Sequence, residues 1–400
     1  MSPRRLRLPR PLTIAQILSS AAGAVPMLIA AVRMDPAAFT SFSIITLASV
    51  LAVGGSRAAL FQPALIFQRT DSASLVPARY MLVVSSLSAL AVAAIAISST
   101  GAAPGEATIV GIAGAVPVFY DWVRYRAIGS SRRWAVAAGD GVRLVLVSAT
   151  ALPVVTATPL PFMLVIGVSC AIAAAVVLPQ VPLRVGSYPY VRYRSSAAWQ
   201  TLDFVVGQFI VSVPLLVLAG SGADDLIGGV RLAQTLLGPL NLAFAATTTN
   251  IVADGATHVD YRQASTVIAR GWRASIRLGI LATAVVALLV AVIWFSGWAP
   301  AGVERADLLL GLVLVGVSTI LTGWSGIHGI VLRVLDHQSA VTLVRIGIAA
   351  ATTAGFLVGY ALGGDEWSLI LGFGANAISA PLLFVPVALF HYRRDTREAP

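Results

Sequence analysis

The sequence predicts an all-α polytopic membrane protein with about twelve transmembrane helices in two six-helix halves. Composition is the first observation: 58% of the 400 residues are apolar, only 11% are charged, and the mean hydropathy is +0.86. Soluble chains are about one quarter charged, so this balance excludes a soluble enzyme and a disordered chain. The single cysteine, Cys170, excludes a disulfide scaffold. The other two observations are regularly spaced apolar runs and a one-sided distribution of arginine.

Apolar runs of about 20 residues, the length of a helix that crosses about 30 Å of hydrocarbon, recur along the chain. Strands of an open sheet are excluded, because backbone groups in lipid must be hydrogen-bonded internally. The first run is too long for a cleaved signal peptide and is predicted to be the first membrane helix. We predict helices over residues 11–32, 38–64, 79–98, 107–125, 138–156, 160–179, 199–220, 226–252, 273–296, 306–332, 338–362 and 367–390.

Arginine supplies all 27 basic residues, and its distribution orients the predicted helices. With a cytoplasmic N-terminus, 21 arginines fall on the cytoplasmic side and only Arg33 and Arg305 fall outside. Cytoplasmic loops of membrane proteins carry such an excess, which explains the net charge of +10 without nucleic acid as a partner. We therefore predict a multi-pass protein of the cell membrane with both termini in the cytoplasm.

An internal repeat is visible at an offset of 188 residues, where Thr13 aligns with Thr201 and Val25-Pro26 with Val213-Pro214. Both halves begin on the cytoplasmic side, so the repeat is parallel, about an axis along the membrane normal. The predicted domains are an N-terminal six-helix half, residues 1–182, and a C-terminal six-helix half, residues 183–400.

Polar residues inside membrane helices are costly and usually face the protein interior or a watery cavity. The four arginines that are assigned to neither side, Arg57, Arg143, Arg231 and Arg345, lie inside predicted helices. Arginine is well suited to binding phosphate through two parallel hydrogen bonds. We predict a cavity that binds an anionic cargo. Its predicted cationic residues are Arg57, Arg231 and Arg345, and its predicted hydrogen-bonding residues are Gln16, Gln208, Gln234 and Asn241.

Three titratable residues, Asp140, Asp203 and His328, are predicted candidates for coupling transport to an ion. Asp140 and Arg143 are three residues apart and are expected to pair on one helix face. Snorkelling of Arg143 and Arg345 to the interface is an alternative to a cavity role for these two arginines. A packed, uncharged core histidine is the alternative for His328.

Motifs of ATP hydrolysis and metal catalysis are missing from the sequence. The predicted outer loops, such as residues 221–225 and 362–366, are too short for a membrane glycosyltransferase that needs an extramembrane acidic loop. We therefore expect no enzyme activity, no cofactor and no bound metal. A secondary transporter or flippase remains.

The chain resembles the polysaccharide exporters of the multidrug/oligosaccharidyl-lipid/polysaccharide (MOP) superfamily, which include O-antigen flippases. Two six-helix halves in about 400 residues carry this resemblance, together with the first helix pair, Ala15-Gln-Ile-Leu, Pro26 and Phe39-x-x-Phe42. A third element is the arginine-rich segment VRYRAIGSSRRW, from Val123 to Trp134, followed by GDGVR, from Gly139 to Arg143.

The resemblance implies a V-shaped pair of lobes with a central cavity. It also implies export of a polyprenyl-diphosphate-linked oligosaccharide or polysaccharide precursor by alternating access. The implied partners are the lipid-linked anionic glycan, the lipid bilayer and enzymes of glycan assembly. Two alternatives remain: a multidrug or small-metabolite exporter of the same superfamily, and a non-transporting scaffold of a glycan-assembly complex.

Overall fold

The computed structural model describes residues 11–67, 76–130, 132–181, 190–219, 224–238, 240–241, 243–244, 247–248, 251, 264–299, 303–335 and 337–398. The chain divides into two compact units, Met1–Pro189 and Tyr190–Pro400. The predicted boundary at residues 182 and 183 lies outside the described residues, as do the four N-terminal arginines and the side chain of Thr13.

Helices make up both units. In the first unit they are α1 (Pro11–Arg33), α2 (Pro36–Ser56), α3 (Gln62–Phe67), α4 (Ala78–Thr100), α5 (Pro104–Gly129), α6 (Arg133–Val147) and α7 (Pro159–Val177). In the second unit they are α8 (Tyr190–Ala219), α9 (Asp224–Leu236), α10 (Ala264–Ser296), α11 (Arg305–Val334) and α12 (Gln338–Glu398).

Nine helical segments among the described residues are long and apolar enough to cross a membrane. The last of them, Gln338–Asp395, spans 58 residues. It contains a break at Gly364, whose φ of 77° lies in the left-handed region that only glycine adopts readily. The two arms of α12, residues 338–362 and 365–398, correspond to the last two predicted helices. The chain is a multi-pass helical membrane protein, as its composition predicts.

Local sequence explains where several helices begin and bend. Asp35 caps α2 by accepting a hydrogen bond from the backbone N–H of Ala38 at 2.9 Å, and Pro36 follows at the first helical position. Between α2 and α3 the helix continues through a π-helical turn, Arg57–Phe61. Pro63 follows this turn and has no N–H to donate to the preceding turn, so a wider turn fits here.

The same pattern of helix packing occurs in both units. In the first, α5 packs against α2, α4 and α7, and α1 packs against α6. In the second, α11 packs against α9, α10 and α12, and α8 packs against α12. The fourth membrane helix of each half therefore lies at the centre of its unit. A helix-by-helix superposition of the two halves stays a prediction.

Apolar side chains form a core in each unit and also cover its outside. Phe42 and Phe162 are fully buried in the first unit, with an edge-to-face contact between ring centroids 5.5 Å apart. Val331 and Phe384 are buried in the second. Large side chains such as Leu90 and Phe295 remain exposed. A lipid environment makes such exposure favourable, because hydrocarbon does not penalise an apolar surface.

Arg33, one of the two arginines predicted on the outer side, holds the end of another helix. Its guanidinium donates to the backbone carbonyls of Thr150, Leu152 and Val155, at 2.5, 3.0 and 2.8 Å. These carbonyls follow the C-terminus of α6 and would otherwise lack partners in the helix. The cation therefore stabilises a helix end.

Candidate functional site

The first unit contains a buried network of charged side chains that joins three membrane helices. At the start of the π-helical turn, Arg57 donates from Nε and Nη2 to the two carboxylate oxygens of Asp121 on α5, both at 2.6 Å. This is the bidentate geometry in which the planar guanidinium binds a carboxylate most strongly. Asp121 is 3% exposed, whereas Arg57 is 35% exposed.

Arg124 extends the network from α5 to α6. It lies one helical turn after Asp121, to which its Nη1 donates at 3.2 Å, and its Nη2 lies 3.0 Å from Oδ2 of Asp140. The hydroxyl of Tyr120 donates to the other carboxylate oxygen of Asp140 at 2.8 Å. Two arginines and two aspartates therefore balance each other in the low-dielectric interior.

The predicted pairing of Asp140 with Arg143 is wrong. Asp140 is fully buried and faces Arg124 and Tyr120 across the interface between α5 and α6. The guanidinium carbon of Arg143 lies 5.9 Å from the ring centroid of Tyr120, a cation–π arrangement. Spacing along one helix identified Arg143 as a possible partner of Asp140. A carboxylate on α6 can equally reach an arginine on a neighbouring helix.

Sequence reasoning missed the central members of this network. Arg124 is one of the 21 arginines that the sequence places on the cytoplasmic side, and the sequence predicts no role for Tyr120. The structure buries Arg124 within α5. The spacing of Asp121 and Arg124, three residues apart in an apolar run, was a signal that could have placed both on one buried helix face.

A second charged cluster, within the second unit, joins α8, α11 and α12. Asp203 on α8 lies between two arginines: Nη2 of Arg333 donates to its Oδ2, and Nε of Arg345 lies 3.0 Å from its Oδ1. Asp203 is 6% exposed, whereas Arg333 is 21% and Arg345 33% exposed. One carboxylate therefore faces two guanidinium groups, and the cluster carries a net charge of +1.

Arg231 lies on α9 and differs from Arg57, Arg333 and Arg345. Its Nη1 donates to the side-chain oxygen of Gln234 at 3.3 Å, one turn along the same helix. Within the part of the chain that the structure describes, no acidic side chain pairs with Arg231. Its charge is therefore not balanced by a carboxylate among the described residues.

The remaining predicted hydrogen-bonding residues lie on several helices. Gln16 is half-buried on α1, and Gln208 is half-buried on α8, five residues after Asp203. Asn241, which follows α9, is exposed. The structure brings Gln234 together with Arg231, and the cargo roles of all four residues stay predictions.

His328 is fully buried on α11 within a group of aromatic side chains. Its ring centroid lies 4.4 Å from that of Trp272, 5.9 Å from Trp324 and 6.2 Å from Tyr392. Its Nδ1 lies 3.4 Å from the hydroxyl of Tyr392. These neighbours are apolar or neutral and favour packing of an uncharged imidazole, while a role of His328 in ion coupling stays a prediction.

The two clusters differ in what they can do chemically. The first is closed: Arg57 and Arg124 are matched by two carboxylates, and both nitrogens on one edge of Arg57 are engaged. The second is open, because Arg333 and Arg345 share one carboxylate. The closed cluster ties helices together, whereas the open cluster could bind an additional anion.

The fold is that of MATE transporters. The chain aligns with a multidrug resistance MATE family transporter of the MOP superfamily in an outward-facing conformation, at a TM-score of 0.69 and 14% identity over 97% of this chain and 95% of that one. The MATE transporter VcmN of Vibrio cholerae in its bent form aligns at 0.68 and 13%, over 96% of each chain. Another MATE structure in the bent conformation aligns at 0.68 and 16%, over 98% of this chain and 96% of that one.

Sequence comparison alone gives no relative, since no protein-family model and no curated protein sequence matches this chain. The class is therefore defined by structure: a polytopic helical membrane protein with the MATE fold. At 13 to 16% identity the likeness extends to the fold and not to cargo or mechanism.

Proposed function

We propose that this protein is a membrane exporter that works by alternating access and moves an anionic, polyprenyl-diphosphate-linked glycan precursor across the cell membrane. The observation that carries the proposal is the balance of charge inside the described helices. Asp121, Asp140 and Asp203 are all bound by arginine, while Arg231 has no acidic partner among the described residues. Positive charge therefore remains after the acids have been neutralised.

A surplus of buried positive charge favours an anionic cargo for electrostatic reasons. Moving an ion from water into a medium of low dielectric constant costs several kcal/mol in practice. A diphosphate therefore needs compensating groups along its path, and arginine supplies charge together with paired hydrogen bonds. The lipid tail can remain in the bilayer, so the protein needs to bind only the headgroup and its sugars.

A multidrug or small-metabolite exporter is the second candidate, favoured by one structural neighbour, which is a multidrug resistance MATE family transporter. A cationic drug would need an acidic group that is free to bind it. The three aspartates that are buried among the described residues are engaged with arginines, which lowers their capacity to attract a cation. The anionic cargo therefore fits the described side chains better.

The proposal also includes the orientation of the chain in the membrane and the source of its substrate. We expect both termini in the cytoplasm, because the excess of arginine lies on that side. A flippase of this kind would take its substrate from membrane enzymes that assemble the glycan on the lipid. A scaffold without transport activity is the competing role, and it would not require a surplus of charge within the helices.

Transport by the purified protein in liposomes tests the proposal. Vesicles containing a fluorescent polyprenyl-diphosphate oligosaccharide are treated with a membrane-impermeant glycosidase, which reports how quickly the glycan changes leaflet. We expect glycan movement with the wild-type protein and a loss of at least tenfold with Arg231→Ala. Arg273→Ala is the matched control, because Arg273 is exposed and bonds only a carbonyl of its own helix.

A cationic dye measured in parallel separates the candidates. Efflux of the dye without movement of the glycan would replace the proposed cargo with a cationic drug. Movement of neither substrate, by protein that is folded and inserted, would favour the scaffold.

A further inference from the structure

The open cluster of the second unit combines an excess of charge with accessible donors. Arg345 comes closest to Asp203 through Nε, which lies 3.0 Å from Oδ1. Arg333 approaches through Nη2, and its buried Nε has no hydrogen-bond partner among the described residues. Both guanidinium groups therefore retain N–H donors that Asp203 does not use.

The contact between Asp203 and Arg345 is close but poorly directed. The two atoms are 3.0 Å apart, yet Oδ1 of Asp203 accepts no hydrogen bond with good geometry among the described residues. Space for the guanidinium is provided by Gly207, one turn along α8: a Cβ at this position would lie 3.0 Å from Nη1 of Arg345. Arg345 therefore fits beside α8 without forming a bidentate ion pair with Asp203.

We propose that Arg333 and Arg345 form a binding site for a diphosphate-type anion, with Asp203 as the resting counter-anion that competes with it. This inference rests on the proposed function and assigns the headgroup of the cargo to residues within one unit. In the empty state, Asp203 neutralises part of the charge of the two arginines. When a diphosphate arrives, its oxygens take over the guanidinium donors.

The physical advantage of a competing carboxylate is moderate affinity. Two guanidinium groups without an anion would repel each other and would be costly to keep out of water. Bound to a diphosphate without competition, they would retain it and slow its release. A tethered carboxylate stabilises the empty site and, by returning to the arginines, assists dissociation.

The test is anion binding by the purified full-length protein in detergent, with inorganic pyrophosphate and geranyl diphosphate as probes. We expect Asp203→Asn to bind both probes about tenfold more tightly than the wild type, because the competing charge is gone. Arg333→Gln and Arg345→Gln should bind at least tenfold more weakly. Asp395→Asn is the matched control: it changes the net charge equally but removes a carboxylate that contacts His337.

The outcomes distinguish this site from the proposed function. If a folded Asp203→Asn variant binds the two probes no more tightly than the wild type, Asp203 does not compete with the anion. The same conclusion follows if Asp395→Asn raises the affinity as much as Asp203→Asn does. If Asp203→Asn does not fold, Arg333→Gln still decides, because it leaves a balanced pair and should lose binding.

Tighter binding of geranyl diphosphate than of pyrophosphate indicates a lipid-linked ligand, whereas equal binding indicates a free phosphate compound. If the variants change anion affinity as expected but no glycan moves in liposomes, the binding site is supported and the proposed cargo is wrong.

Discussion

Arg57 and Asp121 form a bidentate ion pair, with both N–O distances at 2.6 Å, between helices whose residues are 64 positions apart in the sequence. Arg57 was predicted to bind cargo, and that role stays a prediction. In this structure the edge of its guanidinium formed by Nε and Nη2 is occupied by the carboxylate. The pair joins the end of α2 to the middle of α5, so it contributes to the stability of the first unit.

Removing Asp121 is expected to destabilise the protein more than removing Arg57. Asp121→Asn leaves Arg57 and Arg124 with a single carboxylate between them, whereas Arg57→Ala leaves Asp121 still bound by Arg124. Loss of one partner from a buried pair costs about 3–5 kcal/mol, and the partial exposure of Arg57 reduces its share. The midpoint of thermal unfolding in detergent measures both, with Arg273→Ala as the control. A larger loss for Arg57→Ala would contradict the shared role of Asp121.

Tyr120→Phe is expected to lower the free energy of unfolding by about 1–3 kcal/mol, because Asp140 would lose a donor in a fully buried position. Chemical denaturation in mixed micelles is a suitable measurement. Tyr360→Phe is the matched control, since Tyr360 is 59% exposed. Equal effects of the two substitutions would show that the hydroxyl of Tyr120 adds nothing to the network.

The two arms of α12 pack closely enough to require glycine. A Cβ at Gly359 would clash with the carbonyl oxygen of Trp367, whereas a Cβ at Gly374 meets no atom within 4 Å. We expect Gly359→Ala to destabilise the protein by about 1–3 kcal/mol through overpacking. Gly374→Ala should be neutral, or stabilising by up to about 1 kcal/mol, because alanine favours a helix. Unfolding midpoints that do not differ would argue against close contact of the arms.

The predicted topology can be tested by labelling single cysteines in intact cells. Cys170, the one native cysteine, is fully buried, so a Cys170→Ser background is suited to the experiment. Cysteine in place of Glu366, beside the break in α12, should react with an impermeant maleimide from outside. Cysteine in place of Arg273 should react only after the membrane is permeabilised. The reverse pattern would invert the assigned orientation of the helices.

Hydrophobic pattern alone located the membrane helices well. The predicted helix over residues 306–332 corresponds to Arg305–Val334, and the predicted break between residues 362 and 367 corresponds to the change of direction at Gly364. Such agreement is expected, because lipid forces every backbone group into local hydrogen bonds and leaves few alternatives to a helix. Pro36, Pro104 and Pro159 further mark helix starts that are visible in the sequence.

The candidate site was only partly accessible from the sequence. The importance of Arg57, Arg345 and Asp203 followed from their position within apolar runs, where a charge is costly. The sequence did not identify the residues with which they form ion pairs. Arg124 and Arg333 are among the 21 arginines that the sequence places on the cytoplasmic side, and the rule that sorts arginines by side does not identify a partner for either.

The sequence by itself determined that this chain is a polytopic helical membrane protein, where its helices run and that charge is embedded among them. Composition and periodicity suffice for this, because hydrophobic burial and backbone hydrogen bonding act locally along the chain. Only the tertiary structure decided which charges neutralise each other. The ion pairs of Asp121, Asp140 and Asp203 bridge helices distant in sequence, and electrostatic energy depends on distances that helix packing sets. The same packing balances the charges of the first cluster and leaves the second cluster with a net charge of +1.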